Sequence, residues 1–142
     1  MKIVCPKTEE EFRQYYNLRW RILRKPWDQP EGSERDNTDS DCYHVIAIKN
    51  NIIYGVARLE FPDKELAQLR YMAVDDEFQG KGIGRKIVEH MELYSKDNNA
   101  HEIFLNAREN AVGFYEKLDY KITEKSYLLF DSIQHYKMVK TL

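Results

Sequence analysis

The chain has 142 residues, the length of one ordinary domain and enough to bury a core without disulfide or metal staples. Its 42% hydrophobic and 32% charged residues are the balance of a soluble globular protein, and a formal charge of −2 argues against a duplex nucleic-acid binder that relies on net basic charge. Cys5 and Cys42 form no C-x-x-C, so neither a zinc ribbon nor a redox motif is expected and both read as packed thiols. No stretch resembles a signal peptide and none approaches the roughly 20 apolar residues that span a bilayer, so a single cytoplasmic domain, residues 1–142, is the expectation.

Lys2 to Cys5 reads as a short first strand. Thr8-Glu9-Glu10-Glu11 then gives a capping box, and Phe12, Tyr15, Tyr16, Arg19, Ile22 and Leu23 continue at helical spacing. Pro26 disfavours helical geometry in the residue before it, so this helix stops near Lys25. The cluster Arg19, Arg21, Arg24 and Lys25 is most simply a solvated face. Trp27 to Asp41 reads as a long loop carrying Asp28, Glu31, Glu34, Asp36, Asp39 and Asp41. It is either a hydrated acidic loop or the cover of an amine-binding mouth, where carboxylates would attract a cation. An EF-hand is excluded, because the run from Asp36 lacks glycine at its sixth position and glutamate at its twelfth.

Tyr43 to Lys49 is a strand, turned by Asn50-Asn51 into a second from Ile52 to Phe61. After the turn Pro62 to Glu65, the apolar run Leu66 to Val74 is short enough for a buried strand and completes an antiparallel meander. It passes through the acidic turn Asp75-Asp76-Glu77 into three alternating glycines, Gly80, Gly82 and Gly84. Ile83, Ile87, Val88, Met91 and Tyr94 then mark one face of a helix. Glycines at a helix mouth remove the β-carbons that would keep an anion from the unpaired N–H groups of the first turn, and Lys81 and Arg85 add charge. A P-loop would need Lys-Ser or Lys-Thr after the last glycine, where the chain has Arg85-Lys86, and a dinucleotide fingerprint would need glycine at Arg85. Beyond the helix, His101 to Asn106 is a strand, while Asn110, Ala111, Phe114, Tyr115 and Leu118 have helical spacing up to a turn at Asp119. Asn106 and Asn110 are each suited to cap that helix. Tyr120 to Phe130 and His135 to Lys140 close the chain as strands.

Gln79, Gly82 and Gly84 meet the pattern Q-x-x-G-x-G, which resembles the acyl-CoA-binding motif of the GNAT superfamily of N-acetyltransferases. The segment Asn110 to Tyr120 is similar to a second signature of that superfamily, N-x-x-A/G-x-x-F-Y-x-x-x-G-F, in compressed form, with Asp119 for the usual glycine and Tyr120 for the usual phenylalanine. Asp enters left-handed geometry at modest cost, so the substitution leaves the helix end intact. Leu18 to Leu23 resembles the superfamily's first-helix pattern and Leu128 to Met138 its closing hairpin, so the likeness covers nearly the whole chain in order.

The resemblance implies an α+β fold: a central mixed, mostly antiparallel sheet of six to seven strands flanked by about four helices, with strands 4 and 5 splayed. It implies acetyl-CoA as acyl donor, no metal, and a primary amine of a small molecule or peptide as acceptor. Main-chain groups of Met72, Ala73 and Val74 would hold the acyl arm as an added strand would, and the amides from Gln79 through Gly80, Lys81, Gly82, Ile83 and Gly84 to Arg85 the pyrophosphate. Asn106, Asn110, Phe114 and Tyr115 would complete the cofactor contacts. Tyr115 would be the general acid and the Val74 N–H the oxyanion donor. The base stays open among Glu60, Glu34, Asp36, His44, His135 and water. Partners are then acetyl-CoA and an amine, with no nucleic acid and no membrane, and a homodimer is compatible with the pattern. The rivals are a non-catalytic acyl-CoA sensor or interaction domain of the same fold and, third, a nucleotide-dependent oxidoreductase.

Overall fold

The capping box forms as the sequence specifies: the Glu11 N–H donates to Thr8 Oγ1 at 3.0 Å, and the Thr8 N–H to Glu11 Oε1 at 3.3 Å. It starts α1, Glu9–Leu23, in the computed structural model, which describes residues 1–142. The remaining elements are β1 (Lys2–Val4), β2 (Tyr43–Lys49), β3 (Ile52–Asp63), β4 (Leu66–Val74), α2 (Ile83–Asp97), β5 (Glu102–Arg108), α3 (Val112–Glu116), β6 (Lys121–Leu129) and β7 (Ile133–Thr141). Asn50 and Asn51 both take left-handed backbone, φ +52° and +62°, as a two-residue hairpin between β2 and β3 requires. The seven strands form one mixed sheet in the order β1-β2-β3-β4-β5-β7-β6. The parallel step joins β4 to β5 at Leu66 with Glu102, Ala67 with Ile103 and Gln68 with Phe104, whereas β5 with β7 and β6 with β7 are antiparallel. Three α-helices are present where about four were expected, because the loop after α1 holds only short 3-10 turns, Lys25–Trp27 and Asp39–Asp41.

The chain divides into two units, residues 1–60 with 71–91, and residues 61–70 with 92–142. In the first, Tyr15 and Leu18 of α1 pack with Ile46, Ile53, Val56 and Ala73 of the strands. On β3, Gly55, the neighbour of Val56, faces α2: a β-carbon there would lie 2.7 Å from Ile87 Cδ1 and 3.2 Å from Ile83 Cγ2. Neighbouring strand residues point to opposite faces, so α1 and α2 cover opposite sides of this part of the sheet. Gly55→Val is therefore expected to lower stability by about 1–3 kcal/mol through overpacking, read as a drop in the urea midpoint. In the second unit Ile103, Leu105 and Ala107 alternate inward along β5 and join buried Tyr115, Tyr120, Ile133 and Met138. Glu92 accepts from the Tyr120 hydroxyl at 2.8 Å and from Lys140 Nζ at 3.1 Å, which satisfies the one polar atom of a nearly buried ring. No helix is long and apolar enough to cross a membrane.

Candidate active site

The turn between β4 and α2 is pinned at its base and open at its top. Asp75 N–H donates to Tyr54 O at 2.9 Å, the Phe78 ring stacks on Tyr54 at 3.9 Å, and Gln79 Nε2 donates to Val74 O at 3.1 Å and to Asp76 Oδ1 at 3.2 Å. Above that base Gly80 and Gly82 take left-handed backbone, φ +76° and +80°, and a β-carbon added to either meets nothing within 4 Å. The glycines thus reach a conformation other residues resist and leave their outer side clear. Ile83 begins α2, whose first N–H groups have no acceptor within the helix. Such an arrangement suits a pyrophosphate. Lys81 is exposed, its Nζ over the Phe78 ring at 5.6 Å; Arg85 donates to Glu89 Oε1 at 2.9 Å in an exposed pair of the kind worth a few tenths of a kcal/mol, so its guanidinium is readily released.

Upstream, within β4, Tyr71 takes left-handed backbone, φ +51°, the conformation that marks residue one of one kind of β-bulge. Met72, Ala73 and Val74 follow it. The ring of Tyr71 lies under three guanidiniums, those of Arg19 at 3.9 Å, Arg58 at 4.8 Å and, farthest, Arg24 at 5.6 Å, and its hydroxyl donates to Asp36 Oδ2 at 3.3 Å. The Arg19 and Arg58 side chains are completely buried. Arg19 donates to Asp39 Oδ1 at 2.9 Å and to the Glu34 carbonyl; Arg58 donates to Asp36 Oδ1 at 2.8 Å, Asp39 Oδ1 at 3.0 Å and Glu60 Oε1 at 3.2 Å. The α1 arginines are therefore not a solvated face: Arg19 is in the core, Arg21 reaches Asn17 and Asp75, and Arg24 reaches the Ser33 carbonyl. Likewise Asp36 and Asp39 do not form a hydrated acidic loop but turn inward to neutralise the buried arginines that hold the loop down, while the buried Glu34 carboxylate pairs with Arg35 of the loop itself.

These contacts bear on the candidate bases. Burial alone would raise the Asp36 and Asp39 carboxyls, yet hydrogen bonds from Arg58 and Thr38 to Asp36, and from Arg19 and the Asp36 amide to Asp39, hold both below the usual carboxylate range. Each thus stays ionised and a poor proton acceptor. Glu34 spends its carboxylate on the Gly32 N–H and Arg35. His44 Nε2 donates to Asp39 O at 2.6 Å, which leaves Nδ1 to accept from the Tyr15 hydroxyl at 2.6 Å; burial lowers its pKa and both nitrogens are committed. His135 is buried, donates Nδ1–H to Ile133 O and stacks on Tyr127 at 4.3 Å. Glu60 is half-buried beside Arg58.

Removing Asp39 strips a carboxylate from two buried guanidiniums at once, so Asp39→Ala is expected to destabilise by about 3–5 kcal/mol in urea melts. The pH sign follows from lowered pKa values. The stabilisation from Asp36 and Asp39 is complete above their unfolded value, near ~3.9, and is lost as pH falls through the lower folded values. Asp39→Asn should flatten that acid limb of a thermal-melt series.

In the second unit, Asn106 lies on β5 opposite Lys137 and Asn110 is exposed in the 3-10 turn Glu109–Ala111. Neither caps α3: Ala111 stands at its N-cap without a side-chain bond, because the 3-10 turn runs straight into the helix. Asp119 takes φ +71° and the Tyr120 N–H reaches back to Tyr115 O at 3.1 Å, so aspartate does the left-handed work of the expected glycine. Tyr115 is 7% exposed, edge-on to Phe114 at 4.9 Å and to Tyr120 at 5.7 Å, and burial pushes its phenol above the ordinary value. It keeps its proton throughout the physiological range.

Tyr71 and Arg58 had not been singled out from the sequence. The available signal was Arg58 itself, the one charge inside the apolar run Val56 to Leu59.

Residues 23–142 match the family model described as an acetyltransferase (GNAT) domain. The chain is 26% identical over 140 residues to the uncharacterized N-acetyltransferase YjcF of Bacillus subtilis (strain 168), covering 99% of each. Its fold is similar to an acyl-CoA N-acyltransferase from Pseudomonas aeruginosa, TM-score 0.83 at 19% identity over 98% of both chains. It is similar also to a GNAT family acetyltransferase from Elizabethkingia anophelis with acetyl-CoA bound, TM-score 0.79 at 18% identity over 99% of this chain and 97% of that one. With a family model matched from Leu23 to the last residue, the chain belongs to the GNAT acetyltransferase family of N-acetyltransferases.

Proposed function

We propose that the protein transfers an acetyl group from acetyl-CoA to a primary amine of a small molecule or peptide. The observation that carries this reading is the pair of left-handed glycines at the mouth of α2, whose outer side is clear of protein atoms. There the amides from Gln79 to Arg85 bind the pyrophosphate, with Lys81 adding charge. The main chain of Met72 to Val74 aligns the acyl arm, and Asn106, Asn110 and Phe114 contribute further cofactor contacts.

Each step is simple. A neutral amine nitrogen attacks the thioester carbonyl carbon, forming the C–N bond, while the Val74 N–H receives the negative charge on oxygen. The C–S bond breaks as the oxygen re-forms the carbonyl, and the departing sulfur takes the Tyr115 hydroxyl proton. The nitrogen releases one proton to water, and a proton taken back from water restores the Tyr115 hydroxyl, so amine and thioester become amide and thiol with the enzyme unchanged. Burial raises the phenol above its ordinary value, so it holds its proton until the thiolate forms, and positioning beside the leaving sulfur offsets its reluctance as a donor to a thiolate whose acid lies near ~8.5.

The test is an acetyl-CoA turnover screen against a panel of amines, reading thiol release. Amine-dependent release is expected for part of the panel. Measurable CoA binding with no release on any amine would replace the enzyme by the sensor reading.

A further inference from the structure

Arg19, Arg58, Asp36, Asp39 and Tyr71 form a network that is poorly explained as a stabilising device. Both arginines have no exposed side-chain surface, and each leaves its Nε–H buried without a hydrogen-bond acceptor, a cost of about 1–3 kcal/mol per group. Burying such ion pairs is often no better than burying apolar side chains of equal volume. At the centre stands a tyrosine in left-handed backbone, itself unfavourable by roughly 1–2 kcal/mol for a residue with a β-carbon. Strain of this kind persists only where the surroundings over-determine it.

The surroundings do so here through the side chain. The ring is fixed by the guanidiniums of Arg19 and Arg58 at 3.9 and 4.8 Å, with that of Arg24 farther off at 5.6 Å, and the hydroxyl by Asp36 at 3.3 Å. The guanidiniums of Arg19 and Arg58 are in turn fixed by Asp36 and Asp39, both from the loop after α1. With the ring held, the backbone of Tyr71 is not free to relax into extended geometry, and the chain that leaves it is Met72, Ala73 and Val74.

We infer that Arg19 and Arg58, locked by Asp39 and Asp36, are positioning residues for acyl transfer: by clamping the Tyr71 ring they keep its backbone left-handed and so aim the Val74 N–H. The inference rests on the acetyltransferase reading above, in which Val74 is the oxyanion donor. It adds that the loop from Trp27 to Asp41 acts on the reaction through the course of β4. An amide misaimed at a developing charge is costly, since one oxyanion donor is worth about 10²- to 10³-fold in rate.

Two replacements of Tyr71 separate this from a merely structural role. Asn and Val are close in size and both remove the ring, but Asn enters left-handed backbone readily while a β-branched residue does not. Tyr71→Asn is expected to keep kcat for thiol release within about threefold of wild type, whereas Tyr71→Val loses about thirtyfold or more, the loss falling on kcat rather than on KM for acetyl-CoA. Equal kcat for the two, with both folded by circular dichroism, would overturn the inference. Arg58→Lys, which keeps the charge but not the fork, supplies an independent cycle and decides the matter should Tyr71→Val not fold. It should lower kcat about tenfold with Tyr71 present and less than twofold in a Tyr71→Asn background; additive losses would overturn the inference. Wild-type turnover on the amine panel serves as the control: its absence removes the acetyltransferase reading and this assignment together, whereas turnover with an equal or additive pattern removes this assignment alone.

Discussion

Tyr115→Phe is expected to lower acetyl-CoA turnover by about 10²- to 10⁴-fold, the usual worth of a positioned general acid, while CoA affinity changes by no more than about twofold. The ring that remains fills the same volume beside Phe114 and Tyr120, so the fold should survive and the loss should fall on kcat. The phenol is raised by burial, which gives the prediction a second part. Its ionisation cannot limit the wild-type rate below pH ~10, because the acid form is the active one and persists above its unperturbed value. An alkaline decline that begins lower must belong to another group, and it should survive in whatever residual activity Tyr115→Phe retains. A variant with wild-type turnover would show that the proton comes from elsewhere; a wild type that binds CoA as the variant does, with no turnover to lose, would point to a sensor.

The second large effect concerns the helix mouth. Gly82→Val places a β-branched residue at φ +80°, a conformation costing roughly 1–2 kcal/mol, and puts its side chain on the side that is now clear. Acetyl-CoA affinity is expected to fall about thirtyfold or more, equivalent to about 2 kcal/mol, measured by calorimetric titration. Lys81→Ala should cost only about two- to fivefold, since an exposed charge near a helix N-terminus is worth about 0.3–1 kcal/mol. The contrast matters more than either value: a larger loss at Lys81 than at Gly82 would mean that charge attraction, not the backbone cradle, holds the donor.

Much of this architecture was legible in the sequence because its determinants are local. Thr8 and Glu11 cap α1, Asn50-Asn51 turns the hairpin, Asp119 ends the helical turn after Tyr115, and the spacing from Ile83 to Met91 gives the buried stripe of α2. What was not legible depends on tertiary neutralisation. Nothing near Arg19 in the chain announces that it is buried, since its partner Asp39 lies 20 residues on and Arg58 a further 19. The acidic loop reads as hydrated for the same reason: a carboxylate's partner is decided by the fold. Tyr71 carried no signal either, because left-handed backbone in a tyrosine follows from contacts to its ring and not from its own propensity. Asn106 and Asn110 failed as caps because α3 is entered from a 3-10 turn, which provides acceptors in place of a side-chain cap.

The most direct measurement is amide NMR of isotope-labelled protein titrated with coenzyme A. The largest shifts are predicted at the amides of Gln79 to Arg85, with a second set at Met72 to Val74. Saturable binding that leaves both sets unmoved, or no binding up to about 1 mM, an affinity no tighter than roughly −4 kcal/mol, would contradict the account.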